Sequence, residues 1–137
     1  MTERNAQQRE LIERATQAGR KAYAPESGFH VGAAVLASSG KIYTGCNVEN
    51  VSYGISTCAE RVALHCAVAA GERSFEAIAV VAGEGDFDAP PCGACRQALF
   101  EFSPEMMVTY RYGGRFTTSS VAQLLPDAFD RKDVGDD

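Results

Sequence analysis

The hydrophobic pattern of the chain predicts an amphipathic helix at its start. Between residues 2 and 22, apolar side chains recur every three or four positions among charged neighbours, which is the spacing of a helix on the outside of a fold. Pro25 limits this helix, because a proline disfavours helical backbone in the residue before it. Ser27 and Gly28 then predict a turn.

Short apolar segments separated by turn residues predict the strands of a sheet. These segments are residues 29–37, 41–48, 77–82, 106–112 and 115–118. The first two flank Ser38-Ser39-Gly40, so they are expected to form a hairpin. The third is almost entirely apolar, which is typical of a central strand covered on both faces. The last is short and polar, and we expect it at an edge of the sheet.

Two internal helices are predicted, and each begins at a cysteine. Cys58 starts the first, with Ser56 or Thr57 as its N-cap. The second covers residues 92–102 and follows Pro91, whose fixed φ angle suits the start of a helix.

The order of these elements predicts the fold class. A last helical turn is expected over residues 121–125, capped by Ser119 or Ser120. Strands that alternate with helices indicate an α/β fold, a three-layer α/β/α sandwich around a mixed sheet of about five strands. We expect a single domain over residues 1–129, followed by a charged, mobile tail over residues 130–137.

Composition narrows the classes of partner. The chain has 137 residues and a net charge of −5, which argues against a nucleic-acid backbone as its ligand. It has no apolar run long enough for a membrane span and no basic-apolar export signal. Five cysteines in such a chain indicate reduced thiols, so we expect a cytoplasmic protein.

Three of the cysteines have the spacing of a metal site. Cys58 stands alone, and Cys92 and Cys95 form a Cys-x-x-Cys pair. Three protein ligands on one zinc ion leave its fourth position open to water, which is typical of catalytic sites. Glu60 lies two residues beyond Cys58, where a carboxylate can take a proton from that water and return it.

Two arginines lie near these cysteines. Three thiolates on one zinc ion leave a net negative charge. Hydrogen bonds from Arg61 or Arg96 to the sulfur atoms would draw part of this charge away from the metal. The alternative is that each arginine forms an ordinary surface ion pair.

A structural zinc site would need a fourth ligand. His65 lies two turns further along the helix that Cys58 starts, so it cannot reach the metal. The spacing of His30 leaves it open as a ligand. A zinc-stabilised binding module would keep the cysteines but would have no use for Glu60.

Several motifs follow one another from residue 22 to residue 129. They are Ala22-Tyr23-Ala24-Pro25, Ser27, Phe29, Val31-Gly32-Ala33-Ala34, Asn47-Val48-Glu49-Asn50, Ser52-Tyr53-Gly54, Cys58-Ala59-Glu60-Arg61, Pro91-Cys92-Gly93-Ala94-Cys95-Arg96-Gln97, and Leu124-Leu125-Pro126 with Phe129. In this order they resemble the small zinc-dependent cytidine deaminases. The resemblance implies a hydrolase that converts cytidine or deoxycytidine to the uridine form, releases ammonia and serves pyrimidine salvage.

The resemblance also implies roles for residues that spacing alone does not single out. Phe29 would pack against the base, and Asn47 and Glu49 would hold the ribose hydroxyls. The backbone of Ala59 would meet the base carbonyl. The family forms homotetramers, in which Phe129 would reach into the pocket of a neighbouring subunit.

Two residues depart from the family pattern. Glu26 replaces the usual Tyr, and His30 replaces the usual Pro. The carboxylate of Glu26 at the pocket rim either replaces a packing role or favours an alternative substrate, an aminoacylated cytosine nucleoside antibiotic of the blasticidin type. The motifs Asn47-Val48-Glu49-Asn50 and Ser52-Tyr53-Gly54 favour cytidine instead. A polynucleotide substrate is disfavoured, because the chain is acidic and lacks a basic groove with stacking aromatic residues.

Overall fold

A five-stranded mixed sheet forms the centre of the computed structural model, which describes residues 3–135. The strands are β1 (Val31–Ala37), β2 (Ile42–Cys46), β3 (Phe75–Ala82), β4 (Met107–Tyr112) and β5 (Arg115–Ser120). Their order in space is β2-β1-β3-β4-β5. β3 and β4 run parallel, and the other neighbouring pairs run antiparallel.

Helices cover both faces of this sheet. The α-helices are α1 (Glu3–Gly19), α2 (Ala59–Ala69), α3 (Gly93–Phe102) and α4 (Val121–Leu124), with 3-10 turns at Tyr53–Ile55 and Arg131–Val134. α1 packs on β1 and β3, and α2 and α3 pack on the opposite face. This arrangement confirms the predicted α/β sandwich with a mixed sheet.

β1 lies between two hydrophobic cores. Its side chains alternate across the sheet, so Ala33 and Val35 join the core under α2, and Ala34 and Leu36 join the core under α1. Residues 32–37 are all buried. Both faces therefore need apolar side chains, which explains why this segment of the sequence is continuously apolar.

Two glycines let helices approach the sheet closely. A Cβ atom on Gly32 would lie 1.9 Å from the carbonyl oxygen of Ala15 in α1. A Cβ atom on Gly45 would lie 2.4 Å from the backbone nitrogen of Ala63 in α2. Larger residues would push these helices outward. A displaced α2 would also move Ala59 and Glu60, the first residues of that helix.

The structure corrects two predicted helix ends. α1 stops at Gly19, before the predicted end at residue 22, because Tyr23 forms a parallel bridge with Val48 instead. The predicted cap of α2 was also wrong. Cys58 itself is the N-cap, with extended backbone angles, and its side chain makes no capping hydrogen bond. The predicted cap Ser120 is confirmed, since its side chain accepts a hydrogen bond from the backbone of Gln123.

The end of the described chain folds against α3. Asp130 caps the 3-10 turn Arg131–Val134, and Gly135 ends it with a positive φ angle. The Arg131 guanidinium lies 3.3 Å from the carboxylate of Glu101 in α3. Thr2, the predicted start of the first helix, and residues 136–137 of the predicted tail lie outside the described residues.

Candidate active site

The predicted metal ligands meet at the N-termini of two helices. Cys58 is the N-cap of α2, Cys92 is the N-cap of α3, and Cys95 lies in the first turn of α3. A helix N-terminus has unpaired N–H groups and about half a unit of positive charge. Both features favour thiolates, so the two helices place their cysteines where a cation can be bound.

The three sulfur atoms have the separations that a single zinc ion requires. They all lie within 4.8 Å of one another, and the Sγ atoms of Cys58 and Cys92 are 3.8 Å apart. Two sulfurs bound tetrahedrally at about 2.3 Å from zinc would be separated by about 3.8 Å. The donor set therefore fits zinc.

Neither histidine joins this cluster. In the part of the chain that the structure describes, the grouping of potential metal ligands contains the three cysteines alone. His30 lines a separate cavity with Arg20 and Glu84, and His65 is exposed on α2. The structural-zinc alternative thus lacks its fourth protein ligand among residues 3–135.

Arg61 supplies positive charge to the sulfur atoms. Its Nη2 atom donates to the Sγ atom of Cys58 at 3.6 Å. The pKa of the Cys58 thiol is lowered to about 5, chiefly by a hydrogen bond from Cys95 and further by Arg61, against the opposing effect of burial. The same hydrogen bond, with burial, raises the pKa of Cys95.

Arg96 does not act on the sulfur atoms. Its Nε atom donates to the carbonyl oxygen of Pro91, and its Nη1 atom donates to that of Leu124, both at 2.8 Å. Arg96 therefore joins the segment before Cys92 to the end of α4. The sequence left two roles open for this arginine, a contact with the sulfur atoms and a surface ion pair, and the described residues 3–135 show neither.

Glu60 is a buried carboxyl group beside the cysteines. Only 4% of the residue is exposed, in the first turn of α2. Burial raises its pKa to about 7, and the negative charge of Cys58 adds to this effect. A carboxyl group that titrates near neutral pH can both accept and return a proton during a reaction.

A cavity of about 270 Å³ connects Glu60 to four of the predicted substrate-binding residues and to two of the cysteines. It is lined by Ser27, Phe29, Val31, Asn47, Glu49, Cys58, Ala59, Glu60, Val80, Ala89, Pro90 and Cys92. The lining is largely apolar, with a few polar groups that converge on the space, as is typical of a site for a small organic molecule. Cys95 lies behind this surface and is fully buried.

Asn47 holds the segment that leads from Phe29 into β1. Its Oδ1 atom accepts from the backbone N–H of Val31 at 2.8 Å, and its Nδ2 atom donates to the carbonyl of Phe29 at 2.9 Å. The Phe29 ring contacts Phe87 edge to face, with the ring centroids 5.9 Å apart. Among the described residues, the second N–H of the Asn47 amide group has no acceptor.

Glu49 is fixed by the turn before Phe29. Its Oε1 atom accepts from the backbone N–H groups of Glu26 and Ser27, at 2.8 and 3.1 Å. Its Oε2 atom accepts from the Ser27 hydroxyl. The hydroxyl is the largest of the causes that lower the pKa of Glu49, so the group is held as an acceptor.

Phe129 lies apart from this cavity within one chain. Its carbonyl oxygen accepts a hydrogen bond from the side chain of Gln97 at 2.7 Å, while 63% of the residue is exposed. Ser27, in contrast, lines the cavity, although the sequence predicts it only as a turn residue and as part of the family motifs, with no role in binding. Its position two residues before Phe29 was a usable signal, because a serine hydroxyl often accepts from the N–H group two residues on.

Comparisons with known proteins match most of the chain. A family model described as the cytidine and deoxycytidylate deaminase zinc-binding region matches residues 5–111. A cytidine deaminase of Sporosarcina psychrophila is 48% identical over 128 residues, which cover 90% of this chain and 92% of that protein. A cytidine deaminase of Halalkalibacterium halodurans is 45% identical, with 92% and 96% covered.

The solved structures agree with the sequence comparison. The crystal structure of a cytidine deaminase from Burkholderia pseudomallei matches with a TM-score of 0.82 and 48% identity, covering 94% of this chain and 100% of that one. A blasticidin-S deaminase of Bacillus cereus is more distant, at 29% identity over 89% of this chain and 91% of that protein.

Proposed function

Because this chain belongs to the cytidine and deoxycytidylate deaminase family, we propose that it hydrolyses cytidine or deoxycytidine to the corresponding uridine nucleoside. Water replaces the exocyclic amine, which leaves as ammonia. The observation that carries this proposal is the position of Glu60, a buried carboxyl group that lines the same small cavity as two of the three clustered cysteines.

Cys58, Cys92 and Cys95 would hold the zinc ion of this family. Zinc, when bound, lowers the pKa of a coordinated water and so provides a nucleophile at neutral pH. Arg61 would offset the negative charge of the thiolates, which supports the Lewis acidity that the reaction needs.

Glu60 would move the protons of the reaction. It takes a proton from the attacking water, delivers it to the ring nitrogen of the base, and then helps to protonate the amine as the C–N bond breaks. The balance is one nucleoside and one water in, one uridine nucleoside and one ammonia out. A pKa near neutrality, caused by burial, supports both directions of transfer.

The remaining cavity residues would bind the nucleoside. The exposed face of Phe29 is available to the base, and the backbone of Ala59 lies beside Glu60 for the base carbonyl. Asn47 and Glu49 each keep unused hydrogen-bonding capacity toward the cavity, which supports their contact with ribose hydroxyls.

A second substrate class is favoured by one residue. Glu26 is exposed next to Glu49, to which its backbone N–H group donates. A carboxylate at this rim would attract the cationic group of an aminoacylated cytosine nucleoside. The lower identity of the blasticidin-S relative supports the plain nucleoside instead.

The oligomeric state and the cellular location of the protein are also proposed. We propose a cytoplasmic homotetramer, with one catalytic domain over residues 1–129, that serves pyrimidine salvage. The exposed side chain of Phe129 supports a contact with a second copy of the chain, as do Val51, Tyr53 and Ile55, which are 86%, 73% and 65% exposed. None of the described helices combines the length and apolar character that crossing a membrane requires.

A substrate panel tests the proposed function. Purified protein is given cytidine, deoxycytidine, an aminoacylated cytosine nucleoside and a cytidine-containing oligonucleotide, and ammonia release is followed. We expect the first two to be turned over with the highest kcat/KM. Preferential turnover of the aminoacylated compound would replace the plain nucleoside with the alternative, and no ammonia from any of them would overturn the deaminase assignment.

A further inference from the structure

The Ser27 hydroxyl links two groups at the mouth of the cavity. It donates to the Oε2 atom of Glu49 and accepts from the backbone N–H group of Phe29 at 2.9 Å. Ser27 itself lines the cavity. Its backbone N–H group donates to the other Glu49 oxygen at 3.1 Å. One exposed serine is therefore connected both to the aromatic wall and to the carboxylate.

The direction of these bonds is fixed by the chemistry of the groups. An ionised carboxylate can only accept, and a backbone N–H group can only donate. The hydroxyl has a single proton, so that proton points to Glu49 and an oxygen lone pair receives the Phe29 N–H group. The bond to the Glu49 carboxylate is charge-assisted, and such bonds are stronger than neutral ones. Ser27 thus holds the Glu49 carboxylate in one orientation.

This orientation limits what Glu49 can still bind. A carboxylate has about four acceptor sites. The N–H groups of Glu26 and Ser27 occupy two on Oε1, and the Ser27 hydroxyl occupies one on Oε2. One acceptor direction on Oε2 is left among the contacts of the described residues. A ligand can therefore offer Glu49 a single hydroxyl donor.

We propose that Ser27 is a positioning residue that determines sugar specificity, because it holds Glu49 with one acceptor direction free for one ring hydroxyl of the nucleoside. This inference rests on the proposed function, since it assigns the group next to Glu49 to a sugar. Ser27 acts through Glu49 and does not touch the reacting carbon or Glu60. Its loss should weaken nucleoside binding without slowing the proton transfers.

The test compares two substrates in three variants. Ser27→Ala removes the hydroxyl, and Ser27→Thr restores a hydroxyl at the same position. Ser39→Ala is the matched control, because the Ser39 hydroxyl donates to the carboxylate of Glu72 at 2.7 Å in the turn between β1 and β2, outside the cavity. KM and kcat are measured for cytidine and for 2′,3′-dideoxycytidine, which lacks both ring hydroxyls. Melting temperature and zinc content are measured alongside.

We expect Ser27→Ala to raise KM for cytidine about tenfold, the scale of a lost charge-assisted hydrogen bond. Its kcat, zinc content and melting temperature should stay near those of the wild type. KM for the dideoxy compound should change little, because that compound has no ring hydroxyl for Glu49. Ser27→Thr should restore KM, and Ser39→Ala should leave it unchanged.

Two results would overturn the assignment of Ser27. An equal rise in KM for both substrates would show that the hydroxyl acts through Phe29 or the fold, and an unchanged KM would remove it from binding altogether. The wild-type reaction separates a failure of the Ser27 assignment from a failure of the proposed function. If wild-type protein with bound zinc deaminates neither nucleoside, the proposed function fails, whatever the variants do.

Discussion

At the scale of single residues, the proposed chemistry depends on the burial of Glu60. It lies in the first turn of α2, two residues from a cysteine that caps that helix. A buried carboxyl group in this position lowers the stability of the fold, because burial disfavours its ionised form. The raised pKa of about 7 is the direct result.

We expect Glu60→Gln to abolish nearly all turnover while zinc stays bound. The amide has nearly the same shape but cannot relay protons, and loss of a general acid–base group costs about 10²–10⁴-fold in rate. A group that serves several steps should reach the upper end of this range. Steady-state rates and elemental analysis test this expectation. Glu105→Gln, on an exposed residue, is the control, and a Glu60 variant that keeps a tenth of the activity would remove Glu60 from the mechanism.

Some residue-scale features could be predicted from the sequence and others could not. Cys58, Glu60 and the Cys92–Cys95 pair could be predicted as a candidate site, because the metal ligands and the acid–base group proposed here have local spacings. The bond between Ser27 and Glu49 was not visible, since it joins residues 22 positions apart. The separate roles of Arg61 and Arg96 also depended on the tertiary structure, because each arginine lies within three residues of a cysteine in the sequence.

At the scale of elements, the strands were easier to predict than the helix ends. β1 and β3 are buried on both faces, so their apolar runs were unambiguous. The end of α1 depends on the bridge between Tyr23 and Val48, which local periodicity does not report. The predicted cap of α2 was wrong by one or two residues. The backbone of Cys58 takes the capping position, while its thiol joins the cluster of three cysteines.

Arg96 connects three elements, and its loss should lower stability. Its two hydrogen bonds join α3 to the segment before Cys92 and to the end of α4. We expect Arg96→Gln to lower the free energy of unfolding by about 1–3 kcal/mol and to retain zinc. Thermal unfolding measures the change, with Arg9→Gln on the exposed side of α1 as the control. If the melting temperatures of the two variants are equal, these carbonyl contacts have no stabilising role.

At the scale of the whole molecule, one chain leaves Phe129 outside the cavity. Its backbone is fixed to α3 by Gln97, and its side chain is exposed. A fixed backbone with a free aromatic ring is suited to contact another copy, which is the role that the family resemblance predicted. That role depends on a partner chain, so neither the pattern of one sequence nor the fold of one subunit can test it.

We expect Phe129→Ala to raise KM about tenfold or more in an active tetramer. Burial of an aromatic side chain contributes about 1.5–3 kcal/mol, and this contribution would be lost from the neighbouring pocket. Sedimentation and steady-state kinetics test the two parts together. Tyr112→Ala, on an exposed residue of the β4–β5 hairpin, is the control, and a fully active monomer of 14.6 kDa would exclude a shared pocket.

Zinc-dependent deamination of cytidine is tested most simply by measuring uridine and ammonia while the zinc content of the protein is varied. Zinc is removed with a chelator, returned in steps and counted by elemental analysis. We expect one uridine per ammonia and a rate that rises in proportion to bound zinc up to one ion per chain, and we expect the Cys95→Ala variant to bind no zinc. A rate that does not depend on zinc, or zinc-loaded protein that leaves cytidine unchanged, would contradict the proposed zinc-dependent deamination.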